Sequence, residues 1–418
     1  MSLFEGEKIE LKRNVAPSIP NATKDDINDK YIRGDIRIVT EQARYPLSTI
    51  VTMLDSGDYN LNPEFQRRRR WSRLKQSKLI ESFIMNVPIP PIFLYEVAYS
   101  QYEVMDGLQR LTAISEFYKD KFTLTGLDQW PELNGMNCAN LPDQVRRGID
   151  RRYLSSIILL QETARDPSEA DRLKQLVFER INSGGDKLEP QESRNALHNG
   201  PLNQLCIKLA RTDSFCKMWG IPTEDDLEKK SIPFQDSLLF EDPDLDDLED
   251  DSSLEILHGN ALYRKMQDVE LVLRFFAYRQ LTDVEQGRLR DFLDAYLKEG
   301  NRMKTTVLLK LESLFRETSN FVYDVMGDRA FFLLRKKRNG QWVWYERPTK
   351  VLYDPMMFAF SRYIDKHNVL IEKSGVIKEG LERLYQEKAD AFKGRSTNKE
   401  DIINRMNIID EFLFSFVD

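Results

Sequence analysis

The sequence is poor in the residue types that build disulfide scaffolds and metal sites. It contains three cysteines, and none shares a CxxC spacing with another: Cys138, Cys206 and Cys216. This pattern argues against a disulfide framework and against cysteine zinc sites. Histidine is equally scarce, at three scattered positions, and the zinc-binding HExxH pattern does not occur. The identity of any bound metal is therefore unknown from the sequence.

Long apolar runs are also missing. No stretch of eighteen consecutive apolar residues occurs, and the first residues lack the apolar core of a signal peptide. We therefore expect no membrane association and a location in the reducing cytoplasm.

The length and composition predict a folded protein of several domains. The chain has 418 residues, of which 41% are hydrophobic and 31% charged, a balance typical of globular proteins. A chain of this length predicts two or three domains. The net charge of −7 excludes a uniformly basic nucleic-acid coat but allows a local basic groove.

Hydrophobic periodicity and turn signals predict an α+β fold followed by a helical region. Residues 1–35 read as an extended or partly ordered arm, and residues 36–200 as a domain of mixed strands and helices. Residues 201–418 form a mainly helical domain with an acidic loop at 241–251 and a basic hairpin at 331–345. We see no internal repeat.

The most informative segment is 102–112, in which a short strand runs through Asp106 and Gly107 into a helix. Gly107 permits a positive φ or a close backbone approach, and Asp106 is a candidate N-cap. Arg110 at the helix opening opposes the helix dipole, which favours acids there. A bound anion would remove that conflict, so the segment predicts a phosphate site, with an internal salt bridge of Arg110 as the alternative.

Two polar clusters flank this segment. The upstream cluster, 64–71, contains a run of four arginines that would repel one another without an anion nearby. The downstream cluster, 178–185, contains an Asn-Ser-Gly-Gly sequence after a predicted helix. The alternatives are a solvated face for the first cluster and a glycine-capped helix end for the second.

The hairpin at 331–345 combines four consecutive bases with two tryptophans and a tyrosine around Asn339 and Gly340. Such a surface offers phosphate contacts and stacking. Cross-strand packing of the aromatic rings is the alternative.

These motifs, in this order, resemble the N-terminal domain of GmrSD-type restriction endonucleases. The resemblance covers roughly residues 36–200 and rests on Asp106 to Thr112, Gln66 with Arg67 and Trp71, the proline-rich stretch before Ile92, Asn182 to Gly185, and Glu192 with Arg194. It implies a ParB/sulfiredoxin-like domain that binds, and in several relatives hydrolyses, nucleoside triphosphates. Relatives act in bacterial defence against phage DNA, often together with an HNH-type nuclease domain.

The resemblance gives the matching residues their expected roles. The catalytic candidates are Asp106, Gln109 and Arg110, and the candidates for nucleotide binding are Gln66, Arg67, Gly107, Arg110, Thr112, Asn182, Gly184 and Gly185. Nucleic-acid contacts are assigned to Arg68, Arg69, Arg70, Lys336, Lys337 and Arg338. The chain departs from the family motif at Leu108, where relatives usually carry glutamine, so binding is a firmer expectation than hydrolysis.

The leading hypothesis is a nucleotide-binding, NTP-hydrolysing sensor or regulatory subunit of a restriction or anti-phage system, with a nucleoside triphosphate and Mg²⁺ or another divalent cation as ligands. The alternatives are a DNA-binding adaptor without NTP turnover and a direct DNA endonuclease. An HNH site needs histidines as base and ligand, and His258 and His367 stand in unsuitable contexts. We therefore expect DNA cleavage in a nuclease partner, and a methyltransferase partner is a further expectation; the oligomeric state is open.

Overall fold

The computed structural model describes residues 3–9, 23–33, 38–61, 71–160, 167–181, 189–223, 260–283, 288–337, 339–393 and 398–417. These residues divide into two compact units. The N-terminal unit comprises the described residues from 23 to 189, and the helical unit comprises residues 3–9 together with the described residues from Pro190 onward.

The N-terminal unit combines a five-stranded sheet with helices, as the α+β prediction requires. Its strands are β1 (Thr40–Pro46), β2 (Tyr59–Asn60), β3 (Ile92–Ala98), β4 (Gln101–Asp106) and β5 (Tyr153–Leu159). Its α-helices are α1 (Lys24–Arg33), α2 (Ile50–Asp55), α3 (Arg73–Ile84), α4 (Leu108–Tyr118), α5 (Asp143–Asp150) and α6 (Pro167–Ile181). Short 3₁₀ helices lie at Leu47–Thr49, Pro131–Leu133 and Cys138–Asn140.

The strand order of the sheet is β1-β5-β3-β4-β2. β1 pairs antiparallel with β5, and β3 pairs antiparallel with β4 in a hairpin. β3 runs parallel to β5, and β2 runs parallel to β4. This order places β4, the strand that leads into α4, between β3 and the short edge strand β2.

Helix α3 follows from its local sequence. Ser72 caps it, since the Ser72 hydroxyl accepts a hydrogen bond from the Lys75 N–H at 3.3 Å. Inside the unit, Ile80 and Phe83 of this helix pack with Leu111, Ile114 and Phe117 of α4 in one apolar core. The helix ends before the proline-rich stretch that leads into β3.

A buried carboxylate fastens α3 to the loop that follows α4. Glu81 is 3% exposed and accepts hydrogen bonds from the backbone N–H groups of Gln129, at 2.7 Å, and Trp130, at 3.2 Å. Because both N–H groups belong to irregular backbone, Glu81 supplies acceptors that regular secondary structure does not.

The helical unit contains eleven described α-helices and one hairpin. The helices are α7 (Pro190–Leu197), α8 (Pro201–Leu209), α9 (Asp213–Trp219), α10 (Ala261–Arg264), α11 (Gln267–Tyr278), α12 (Leu289–Gly300), α13 (Thr305–Met326), α14 (Lys350–Arg362), α15 (His367–Glu372), α16 (Ser374–Glu387) and α17 (Lys399–Phe414). Further 3₁₀ helices lie at Leu281–Asp283 and Ile364–Lys366. Aromatic side chains from α9, α13 and α14, among them Phe215, Phe315 and Tyr353, meet in its core.

The predicted hairpin is confirmed. β6 (Leu333–Lys336) pairs antiparallel with β7 (Trp342–Tyr345), and Gly340 in the turn has φ of 85°. A positive φ is the conformation that glycine adopts at low cost in such turns.

Helix α7 docks in the helical unit through a buried arginine. Arg194, which is 2% exposed, donates to Asp294 of α12 at 2.6 Å and to Glu270 of α11 at 3.0 Å. Arg194 thus anchors α7 to two other helices of the same unit.

The described part of the predicted N-terminal arm contains two ordered pieces. Residues 24–33 form α1, and residues 3–9 belong to the helical unit, where Glu7 is fully buried against Arg279 at 2.6 Å. The acidic segment 241–251 lies outside the described residues.

None of the described helices is long and apolar enough to cross a membrane. Among the described residues, no group of three or more histidine, cysteine, aspartate or glutamate side chains is arranged to hold a metal ion.

Candidate functional site

The turn between β4 and α4 depends on Gly107. Its φ is 102°, and it occupies the N-cap position of α4. A Cβ built at Gly107 would lie 2.3 Å from the Cγ2 atom of Ile92 in the neighbouring strand. Both properties predicted for this glycine, a positive φ and a close approach, are therefore confirmed.

The predicted N-cap role of Asp106 is wrong. Asp106 is the last residue of β4, and Gly107 precedes the first helical residue, with no side chain capping the helix. The sheet register of β4 with β3 holds Asp106 in the strand, opposite Phe93. The cap position moves one residue on because the chain needs the left-handed conformation there.

Arg110 is the centre of a hydrogen-bond cluster. Its Nη2 atom donates to Asp106 Oδ2 at 2.6 Å, and its Nη1 atom donates to the carbonyl of Pro90 and, at 3.3 Å, to that of Pro91. The side chain of Arg110 is only 12% exposed. The guanidinium thus ties the start of α4 to the end of the proline-rich stretch before β3.

This cluster answers the electrostatic conflict seen in the sequence. A cation at a helix N-terminus is unfavourable, and here one carboxylate and two backbone carbonyls surround it. The fold itself supplies negative partners that a phosphate was expected to supply. Arg110 in this structure is therefore engaged internally, the alternative that the sequence left open.

Two kinds of group remain at the turn for a ligand. The carboxylate of Asp106 is 39% exposed, and Arg110 holds it through one oxygen. The N–H groups of Leu108, Gln109 and Arg110 lie in the first turn of α4, where a helix offers no internal acceptor. The first hydrogen bond of the helix is the next one along, from Leu111 N–H to the carbonyl of Gly107 at 2.9 Å. Free N–H groups at a helix start attract anions.

Gln109 links the turn to the upstream cluster. Its side-chain carbonyl accepts a hydrogen bond from the backbone N–H of Trp71 at 3.1 Å, and Lys75 Nζ lies 5.1 Å from the centroid of the Trp71 ring. This contact fixes the chain at the point where the arginine-rich segment ends. The side-chain carbonyl of Gln109, one of the catalytic candidates, therefore has a backbone partner.

Several predicted site residues lie outside the described residues. These are Gln66, Arg67, Arg68, Arg69, Arg70, Asn182, Gly184, Gly185 and Arg338. The described end of the upstream cluster, Trp71, is joined to the turn through Gln109.

The remaining predicted positions are described. Leu108, the departure from the family motif, is 6% exposed and packs in the core of the N-terminal unit. Thr112 is half-buried in α4. In the helical unit, Lys336 and Lys337 are exposed.

One contact at the site was missed by sequence reasoning. Lys174 of α6 pairs with Glu103 of β4 at 2.6 Å and lies 5.3 Å from the Tyr95 ring centroid. It anchors the helix that leads into the downstream cluster to the strand that leads into the turn. The alternating pattern of β4 leaves Glu103 on the face opposite the buried Val104, which is the signal that was available.

Comparison with known proteins gives a family for part of the chain. Residues 47–199 match the family model described as the GmrSD restriction endonuclease N-terminal domain. The match begins at the 3₁₀ helix before α2 and ends just after α7, so it includes the whole β4–α4 turn. Searches of curated proteins and of solved structures give no match.

Proposed function

From a GmrSD-type N-terminal domain at residues 47–199, we propose that the protein acts in a restriction-type defence system and binds a nucleoside triphosphate at the start of α4. The observation that carries the proposal is the turn itself. Gly107 joins β4 to α4 with a positive φ, and the first N–H groups of the helix follow directly after Asp106, whose carboxylate is partly exposed.

The backbone of the turn is the proposed phosphate ligand. N–H groups at a helix start bind phosphate oxygens through hydrogen bonds and through the helix dipole. A side chain at position 107 would strain this turn, because it would meet Ile92 at 2.3 Å. The glycine therefore keeps the N–H groups in the arrangement that an anion needs.

Arg110 is proposed as a positioning residue. Its hydrogen bonds to Asp106 and to the carbonyls of Pro90 and Pro91 hold the turn against the entrance to β3. This differs from direct bidentate phosphate binding, the role first expected, since the guanidinium already has three oxygen partners. Replacing it would loosen the turn and weaken nucleotide binding indirectly.

Asp106 is the residue proposed to serve hydrolysis. A partly exposed carboxylate beside a phosphate site is suited to hold a divalent cation or to orient water. Mg²⁺ bound there would neutralise phosphate charge. Arg110 fixes one carboxylate oxygen at 2.6 Å and so restricts the orientation of the group.

The biological setting is part of the proposal. The family description names a restriction endonuclease, and this chain carries its N-terminal domain. We propose a ParB-like nucleotide-dependent sensor or regulator, with DNA cleavage supplied by a partner. Incubating the purified protein with DNA and Mg²⁺ tests the second part, and cutting that an active-site substitution abolishes would contradict it.

Calorimetric titration of the purified protein with ATP, GTP, CTP and UTP, each with and without Mg²⁺, tests the nucleotide site. We expect one or more nucleotides to bind, and Arg110→Ala to weaken that binding at least about tenfold, as the loss of about 1.4 kcal/mol requires. Asp106→Asn should keep binding and lose Mg²⁺-dependent turnover, measured as phosphate release.

Arg316→Ala is the matched control. Arg316 forms the same i,i+4 type of ion pair, with Glu312 at 3.2 Å, but in α13 of the helical unit. It should bind nucleotide like the unaltered protein. The idea fails if no nucleotide binds, or if the Arg110 and Arg316 variants lose affinity equally.

A further inference from the structure

The β6–β7 hairpin and the residues after it carry a concentration of cations. Between residues 331 and 349 the sequence holds five bases and one acid: Arg335, Lys336, Lys337, Arg338, Arg347 and Glu346. Within the part of the chain that the structure describes, neither Arg335 nor Arg347 forms an ion pair with a carboxylate. Glu346, the one acid of the segment, is exposed.

Three covered arginines elsewhere in the helical unit have carboxylate partners. Arg194 meets Glu270 at 3.0 Å, Arg279 meets Glu7 at 2.6 Å, and Arg274 meets Asp354. Arg335 and Arg347 differ from these arginines because neither has a carboxylate partner among the described residues. Guanidinium groups that form no ion pair with a described carboxylate, in a segment with one acid, favour an external anion.

Tyr345 brings the two arginines together. The guanidinium carbons of Arg335 and Arg347 lie 4.7 Å and 4.4 Å from the centroid of its ring. Burial, and then the positive charge of Arg347, lower the pKa of Arg335. Cation–π contacts orient guanidinium planes without using their N–H donors. The Tyr345 ring therefore holds two guanidinium groups close together, and their N–H donors can bind adjacent phosphate groups.

The other face of the hairpin adds an exposed aromatic ring. Register pairs Leu334 with Trp344 and Lys336 with Trp342, so these side chains share a face. The rings of Trp344 and Tyr385 pack edge to face with their centroids 6.4 Å apart, yet Trp344 remains 38% exposed. Lys336 is exposed, with its Nζ 5.9 Å from the Trp342 ring centroid.

We propose that the β6–β7 hairpin docks single-stranded nucleic acid that passes around it, in which Arg335 and Arg347 bind backbone phosphates on one face and Trp344 stacks on a base at the other face. Phosphate matches the guanidinium donors, and a stacking indole needs a base that is not buried in a duplex. An acidic peptide would satisfy the cations but not the exposed indole. The surface lies outside residues 47–199, and the inference is independent of the proposed nucleotide site.

Fluorescence anisotropy with labelled single-stranded oligodeoxythymidine and oligouridine tests the surface, using full-length protein between about 50 and about 200 mM salt. The double variant Arg335→Gln/Arg347→Gln should bind at least about tenfold more weakly at the lowest salt. Its slope of log affinity against log salt should fall by about 1.4, the value for two lost contacts to a single strand. The two oligomers show whether DNA or RNA binds better.

A charge-matched control separates the surface from net charge. Arg302→Gln/Arg316→Gln also removes two positive charges, but from arginines that pair with Glu299 and Glu312. Its affinity should stay within about threefold of the unaltered protein. Arg335→Lys/Arg347→Lys keeps both charges and, if the planar donors matter, should still bind more weakly than the unaltered protein.

Trp344 supplies the test for stacking. Trp344→Ala should weaken single-strand binding about fivefold or more and leave duplex binding unchanged, whereas Trp344→Phe should retain most of the affinity. Circular dichroism melting of each variant checks that the helical unit, which carries the hairpin, is folded.

Three results would overturn the inference. They are the absence of nucleic-acid binding at low salt, equal losses in the two double glutamine variants, and displacement of the oligomer by an acidic peptide at equal charge concentration. Equal effects of Trp344→Ala on single-stranded and duplex DNA would remove the stacking role.

Discussion

The backbone of Gly107 has φ of 102°, and an added Cβ would lie 2.3 Å from Ile92 Cγ2. We expect Gly107→Ala to lower the free energy of unfolding of the N-terminal unit by about 1–3 kcal/mol or more, because left-handed strain and overpacking act together. Urea denaturation measures this change.

Gly57→Ala is the matched control for that substitution. Gly57 lies in the same unit with φ of 84°, and nothing lies within 4 Å of its added Cβ. It should show the cost of the left-handed conformation alone. Equal destabilisation by both substitutions would mean that the contact with Ile92 carries no energetic weight.

The residues of the β4–α4 turn show which features of the site could be predicted from the sequence. A strand, Gly107 and a helix were predictable because turn chemistry and apolar periodicity are local. The oxygen partners of Arg110 were not, because two of them are carbonyls twenty and nineteen positions away. The proline-rich stretch offers one signal, since its carbonyls lie outside regular helix and sheet.

At the scale of elements, the Glu81 carboxylate is one of the contacts that join α3 to the loop after α4, beside the hydrogen bond from Thr125 N–H to Ser77 Oγ at 3.0 Å. Glu81→Ala would leave the N–H groups of Gln129 and Trp130 without their acceptor, so we expect a loss of about 2–4 kcal/mol in the free energy of unfolding. Glu81→Gln keeps an acceptor oxygen and should cost clearly less. Urea denaturation of both variants measures the difference, and equal losses would contradict the role of the acceptor.

The docking of α7 on α11 makes the stability of the helical unit depend on pH. Burial alone would raise the pKa of Glu270, but the charges of Lys350, Arg194 and Arg274 outweigh it and lower the pKa from 4.5 to about 2. Since this pKa is lower in the folded state, the carboxylate stabilises the fold above about pH 4.5. That contribution is lost as pH falls through about 2.

Glu270→Gln tests this dependence. The shift corresponds to about 3 kcal/mol, so the unaltered protein should lose that much more stability than Glu270→Gln as the pH falls from about 5 to about 2. The variant should also be less stable at neutral pH, because Arg194 and Lys350 lose a charged partner. Denaturation at a series of pH values gives both curves, and parallel curves would refute the assignment.

The element pattern of the helical unit was partly predictable. Asn339 and Gly340 between apolar runs correctly indicated the hairpin, and helical periodicity indicated the helices. The docking of α7 was not predictable, because Glu270 and Asp294 lie 76 and 100 residues from Arg194. Sequence spacing carries no information about a contact of that range.

For the whole molecule, the chain contributes to the helical unit from two distant parts. Glu7 is fully buried and bonds Arg279 through both carboxylate oxygens, at 2.6 and 2.8 Å. The Gln280 side chain also holds the backbone of this segment, at Glu7 O and Ile9 N–H. Residues 3–9 are thus part of the packing of the helical unit.

Glu7→Ala should therefore destabilise the helical unit selectively. Removing one partner of a buried ion pair costs about 3–5 kcal/mol, and hydrogen exchange followed by mass spectrometry should show faster exchange in α11 and α13. Exchange in α3 and α4 should not change. The exposed neighbour substitution Glu5→Ala is the control, and acceleration in both units, or in neither, would contradict the selective effect.

The end of the family match has a practical consequence for anyone who divides this protein. A fragment that stops at residue 199 keeps Arg194 and loses both of its carboxylate partners, Glu270 and Asp294. Such a fragment would expose the inner face of α7 and would be prone to aggregation. A cut before Pro190 keeps Arg194 with Glu270 and Asp294 in the C-terminal fragment. If residues 3–9 are joined to that same fragment, Glu7 also keeps Arg279, and this is the division to use for separate expression.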